Sequence, residues 1–217
     1  MKLRHEIAIL VFLITSAIAS FHLANPRFLA GFFEGDKAVS DQLATLLEQY
    51  QTKPPHFDNR VKDADCHVDG PLPDHACSPG AIFPEATVEQ ICVKGYTQAV
   101  RDVPVSLKKK VYGEYGISYP QRRGAYEVDH LIPLELGGNN DIANLFPEAA
   151  EPASPAGGPS PGFREKDLVE NYLHNEVCAN QISLAAAQQQ IASDWLAVYK
   201  TLTPDQLAQL KQAFRSF

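Results

Sequence analysis

The stretch that decides the reading runs Tyr126-Glu127-Val128-Asp129-His130-Leu131-Ile132-Pro133-Leu134-Glu135-Leu136-Gly137-Gly138-Asn139-Asn140-Asp141-Ile142-Ala143-Asn144-Leu145. Tyr126 to Leu136 reads as an apolar strand interrupted by an acid and a histidine side by side. A lone buried carboxylate is expensive, so a cation is required near Asp129: a metal ion, an arginine, or His130 itself. Gly137-Gly138 turns the chain, and Asn144-Leu145 begins a return strand. Adjacent strand residues point to opposite faces. Asp129 and His130 therefore converge on one site only if the strand is distorted or ends there.

Downstream, residues 149–162 form a Pro/Gly/Ala/Ser-rich loop, and Arg164 to Ala179 reads as a helix. At 100° per residue, Leu168, Val169, Tyr172, Leu173 and Val177 make its apolar side. Asp167, Glu170, Asn171 and His174 cluster opposite. Ser183 to Tyr199 is a second helix with a Ser cap. Thr203-Pro204-Asp205 opens a third, with Thr as N-cap and Pro at the first helical position. Upstream, Ala86 to Cys92 reads as a short helix or turn, and Tyr96 to Val105 as a strand or extended segment. Ser106 to Tyr115 reads as a helix with Leu107, Val111 and Tyr115 stacked.

The Asp-His pair, the Ile-Pro, the Gly-Gly and the Asn-Leu together resemble the motif of the HNH endonucleases, the ββα-metal finger, in an exported bacterial-type variant. The resemblance covers residues 126–178, about a quarter of the chain. It implies an α+β fold: a ββα-metal finger embedded in a small, mainly helical domain. It also implies a metal-dependent endonuclease that leaves a 5′-phosphate product. His130 would be the general base, since a neutral imidazole accepts a proton from water near neutral pH. Asp129 would be the first ligand of one divalent ion: Mg2+ by first choice, with Mn2+, Ni2+ or Zn2+ as alternatives. Asn144 matches the middle Asn, counted with the catalytic set, and mainly holds the finger together. The third element departs from the pattern. The helix follows late, after 26 residues between Asn144 and Asn171, and lacks paired zinc-binding cysteines. His174 is the favoured helix ligand, Asn171 the next, and Glu170 the third.

Hydrophobic residues make up 45% and charged residues 21% of the 217. Those fractions exclude a disordered chain, a collagen-like fibre and a polytopic membrane protein. The net charge of −7 speaks at first against a nucleic-acid partner, which calls for a basic footprint. The charge is unevenly placed, however. Between residues 94 and 123, Lys94, Arg101, Lys108, Lys109, Lys110, Arg122 and Arg123 face only Asp102 and Glu114, a local +5. Arg101, Lys108, Lys109, Lys110, Arg122 and Arg123 are the candidate phosphate contacts. Tyr96, Tyr112, Tyr115 and Tyr119 interleave them, either as stacking platforms or as core. Nothing resembles a base-reading module, which points to low sequence specificity, with DNA favoured over RNA. A rival reading keeps the finger as the scaffold of a non-catalytic nucleic-acid- or partner-binding module. An inhibitor or immunity protein remains open as a partner.

Residues 1–19 read as a signal peptide. Lys2 and Arg4 precede an apolar run from Ile7, and Ala17-Ile18-Ala19 offers a cleavage pattern. A membrane anchor is the rival, but Ile7 to Ala19 is 13 residues, where about 20 are needed. The mature chain is thus expected to be exported, periplasmic or extracellular, with no stable membrane association. Four cysteines, Cys66, Cys77, Cys92 and Cys178, fit two disulfides in three possible pairings. Residues 20–75 read as an N-terminal extension or linker, with a short helix over Ser40 to Tyr50, and 76–217 as the nuclease domain.

Overall fold

The computed structural model describes residues 57–152 and 160–214. The signal-peptide reading and the helix over 40–50 lie outside the described residues. The element order is α1 (Val88–Ile91), α2 (Tyr96–Val100), α3 (Val105–Glu114), β1 (Tyr126–His130), β2 (Leu145–Ala149), α4 (Phe163–Cys178), α5 (Leu184–Thr201) and α6 (Pro204–Phe214). Two 3-10 turns, Leu134–Leu136 and Ile142–Asn144, lie between the strands. The described residues are therefore mixed: mainly helical, with one two-stranded antiparallel sheet and two disulfides.

The long helices form where apolar spacing and caps place them. Ser183 caps α5 by accepting from Ala186 N at 3.1 Å. Leu168, Val169, Leu173 and Val177 of α4 pack with Ala187, Ile191, Trp195 and Val198 of α5 in the main core. Burying one such side chain contributes about 1.5–3 kcal/mol. Trp195 is fully buried, just past a break in α5 at Asp194.

Three readings change. Tyr96 to Val105 is not a strand: Tyr96–Val100 is a helical turn entered through left-handed Gly95, followed by an extended link. The alternating valines 103 and 105 mimic a strand there. Tyr126 to Leu136 is a strand only to His130; beyond Pro133 it tightens into a 3-10 turn. Finally, residues 57–75 are coil, as their breakers predict, yet they belong to one compact unit that spans Gln51–Phe217. Cys66 is bonded to Cys77, Arg60 pairs with Glu114, and Cys66 N donates to Glu114 O at 2.9 Å.

Gly162 sets the start of α4. A Cβ there would lie 2.3 Å from Ala149 O and 2.4 Å from Ala150 O. Only glycine lets the first turn of α4 approach the end of β2 so closely, which carries Lys166 in beneath the hairpin.

Candidate functional site

The strand register pairs Glu127 with Glu148, Asp129 with Phe146, and His130 with Leu145. Alternation then puts Glu127, Asp129 and Glu148 on one face of the hairpin. β1 ends at His130, so the Asp-His pair sits at a strand terminus. Asp129 Oδ1 accepts from the His130 backbone N–H at 2.8 Å.

The cation beside Asp129 is Lys166. Its ammonium is fully buried and donates to Asp129 Oδ2 at 2.7 Å, to the His130 carbonyl at 2.7 Å, and to Glu170. Those contacts use all three of its N–H donors. Burial opposes the charge on Lys166, but Asp129, Glu170 and Glu148 outweigh it and push its pKa up. Burial likewise works against an ionised Asp129, but Lys166 prevails and holds that carboxyl below its usual range.

One ammonium does not satisfy all the acids present. Burial, then the charge of Asp129, pushes Glu148 well above the ordinary carboxyl range. Burial does the same to Glu170 in spite of Lys166. Burial and Asp129 carry Glu127 up to about 7 and Asp167 up to about 6. Glu135 is raised by burial too. Glu148 is the outlier among these acids. It is 1% exposed, and apart from the Asp129 carboxyl, with which it shares a hydrogen bond, its oxygens meet no partner among the described residues. Two buried carboxyls in direct contact are an environment that a hard divalent cation fits.

His130 is 3% exposed, and its Nε2 lies 3.2 Å from Asn140 Oδ1. The Asn140 amide has a single workable orientation. Its Nδ2 donates to Val100 O at 2.7 Å, and its Oδ1 accepts from Asp102 N at 3.1 Å. Flipping the amide would set donor against donor and acceptor against acceptor. Asn140 Oδ1 therefore accepts from the ring, which assigns the proton to Nε2 and leaves the lone pair on Nδ1. Burial depresses the His130 pKa to about 4, so the ring is neutral at pH 7.

Asn144 is fully buried and works as a latch. Its Oδ1 accepts from Ile132 N at 2.9 Å and Ala81 N at 3.3 Å. Its Nδ2 donates to the carbonyls of Ile132 and Asn139, each at 2.9 Å. Every polar atom of the side chain is committed to backbone, so its role is to hold the loop after His130 rather than to touch a substrate.

Neither favoured helix ligand is placed beside Asp129. His174 Nε2 lies 3.2 Å from Ile91 O and 3.4 Å from Cys178 Sγ, and Asn171 Nδ2 donates to Asp167 O within its own helix. The helical rise explains this: position 174 is about 12 Å along the axis from position 166, whereas the hairpin meets the first turns of α4. Glu170, ranked third, is the residue that shares Lys166 with Asp129. Cys92, His174 and Cys178 lie with their ligand atoms within 4.8 Å of one another. Both sulfurs belong to the Cys92–Cys178 disulfide, however, and a thiolate is what binds metal.

Of the basic residues, Arg101 borders the site: its charge acts on His130, Glu127 and Glu135. Lys108, Lys109 and Lys110 lie on α3, which packs against both strands. Lys109 sits over the Tyr119 ring at 5.4 Å, and Lys110 is 3.9 Å from Glu114. Arg122 and Arg123 are exposed in the loop before β1. The stacking role fails for two tyrosines: Tyr112 and Tyr115 are buried, with Tyr115 bonded to Ser78 at 2.9 Å. Tyr96 is half-buried, and Tyr119 alone of the four is exposed.

Lys166 and Glu148 escape sequence reading, although one signal was available for the second. Counting strand pairs outward from His130 and Leu145 sets Glu148 on the Asp129 face. Comparison with known protein families, with curated proteins and with solved structures returned no match.

Proposed function

We propose that this chain is an exported, metal-dependent endonuclease of low sequence specificity, with DNA as its favoured substrate. The observation that carries the reading is the state of His130: neutral, with Nε2–H fixed by Asn140, and placed next to the Asp129 carboxylate cluster. Nδ1 is then the atom that accepts a proton from water as the water attacks phosphorus. A divalent ion held by Asp129 and its neighbouring carboxylates would stabilise the charge on the phosphate and on the departing oxygen. Arg101 and the Lys108–Lys110 segment would bind flanking phosphates without reading bases. Two disulfides fit a non-reducing compartment. No helix of the described residues is long and apolar enough to cross a membrane.

The test is plasmid digestion with Mg2+ or Mn2+, comparing wild type with His130→Ala and adding EDTA. Cleavage that survives in His130→Ala at the wild-type rate would sink the reading. A second reading draws on Lys166. An ammonium fixed on Asp129 suits a binding module in which no ion ever enters and nothing is cut. Nucleic-acid binding without cleavage across several divalent metals would favour it.

A further inference from the structure

We infer that Asp129, Glu148 and Glu170 form a divalent-cation site whose place is held by the Lys166 ammonium, so that the ion binds only when Lys166 withdraws. The inference rests on the nuclease reading for what the ion does, but not for where the ion sits. It differs from the ligand set that the motif implies, because both partners of Asp129 are carboxylates and His174 has no part.

Two observations carry it. First, the ammonium is already bound as a small cation would be, with Asp129 Oδ2 and the His130 carbonyl each at 2.7 Å and Glu170 completing the shell. Second, Glu148 is 1% exposed and is hydrogen-bonded to the Asp129 carboxyl alone among the described residues, so two buried carboxyls face each other with no cation on Glu148. The three N–H groups of the ammonium are committed elsewhere, so it has nothing left to offer the Glu148 side of that pair. A divalent ion has more coordination positions than an ammonium has protons, and carboxylate oxygens are the donors that Mg2+ and Mn2+ prefer.

The ammonium also stands between Asp129 and Glu170. Among the described residues, no acidic triad brings its oxygens within 4.8 Å of one another. With Lys166 inserted, Glu170 meets Asp129 through the ammonium and not directly. Once it leaves, its four-carbon stem can carry the charge towards Asp167 or solvent while the oxygens close on the ion. Lys166 is thus an internal competitor: it stabilises the metal-free fold and sets a threshold for metal binding.

The experiment titrates the full chain with Mn2+, read by electron paramagnetic resonance of the free ion and by the Mn2+-induced rise in melting temperature. Wild type should bind one Mn2+. Glu148→Gln should weaken binding at least tenfold, and Lys166→Gln should strengthen it at least tenfold, while His174→Ala leaves it unchanged. A Lys166→Gln protein that folds only when Mn2+ is present would also support the inference, with the ion replacing the lost charge. Wild-type affinity in Glu148→Gln would overturn it, as would a folded Lys166→Gln no tighter than wild type, or loss of binding in His174→Ala. If Lys166→Gln does not fold with or without Mn2+, the Glu148→Gln result decides. The predicted binding pattern without nucleic-acid cleavage would remove the nuclease reading and leave the cation site standing. Cleavage that depends on His130 but not on Glu148 would do the reverse.

Discussion

Replacing Asn144 with Ala tests the latch directly. The side chain makes four hydrogen bonds to backbone, and the two at Ile132 are fully buried on both sides. Those at Ala81 N and Asn139 O lie nearer the surface, where water can substitute. Counting only the Ile132 N–H and carbonyl, at about 1–3 kcal/mol for each buried group left without a partner, gives a loss of about 4 kcal/mol. That is a large part of the roughly 5–15 kcal/mol that stabilises an ordinary domain. The single tryptophan, Trp195, is fully buried, so urea unfolding followed by its fluorescence measures the change. The midpoint should fall sharply with an unchanged slope. Asn144→Asp refines the test. It keeps an acceptor for Ile132 N but sets a carboxylate against two carbonyls. That mutant should be weaker at pH 8 than at pH 5, where a protonated carboxyl can donate one bond. A loss under about 1 kcal/mol for Asn144→Ala would refute the latch. Gly138 offers an independent approach to the same joint, since a Cβ there would lie 1.8 Å from Ile132 O.

Two further outcomes follow from the same structure. Burial raises the Tyr115 pKa from 10.0 to about 12. Between those values the unfolded chain releases a proton that the fold retains, so stability falls as pH rises, by about 1.4 kcal/mol per unit and about 2.7 kcal/mol in all. Tyr115→Phe should lack that alkaline slope, and equal slopes from pH 9.5 to 11.5 would contradict the assignment. The disulfides should contribute unequally, because Cys92–Cys178 closes 86 residues and Cys66–Cys77 closes 11. Loop entropy gives about 4–5 kcal/mol for the first and about 3 kcal/mol for the second. Paired Cys→Ser variants compared by urea unfolding should rank in that order, and the reverse order would show that the native fold, not the open chain, governs the difference.

What the sequence made legible is what local rules govern. The cap at Ser183, the Thr-Pro-Asp opening of α6, the apolar stripe of α4 and the return strand at Leu145 all sit where spacing and capping put them. The helical turn at Tyr96–Val100 was not legible, because five residues carry too little periodicity to outvote nearby valines. The site was half legible. A cation near Asp129 was required on physical grounds, but its identity was not, since Lys166 stands 37 residues away and reads as an ordinary first-turn lysine. Its burial depends on how closely Gly162 lets α4 approach β2, a tertiary fact. The favoured ligand, His174, lies away from Asp129 for the opposite reason: residue type argued for it, while helical rise carries it past the hairpin.

The charge distribution then bears on the partner. Six of the 26 acids, Glu127, Asp129, Glu135, Glu148, Asp167 and Glu170, gather around Lys166 at or beneath the hairpin. Burial drives five of them above their ordinary pKa, so without a second cation part of that group holds protons at neutral pH. The formal −7 therefore overstates the negative field that an approaching polyanion meets. Arg101, Lys109, Lys110, Arg122 and Arg123 are exposed, and solvent-facing charges are the ones that govern encounter. A divalent ion in the cluster would move the balance further the same way, coupling metal occupancy to affinity for phosphate. On that argument, nucleic-acid binding should be salt-sensitive and should tighten when Mn2+ is added, even in a His130→Ala variant that cannot cut. Metal-independent affinity in that variant would separate the basic surface from the acidic cluster and leave the two without functional connection.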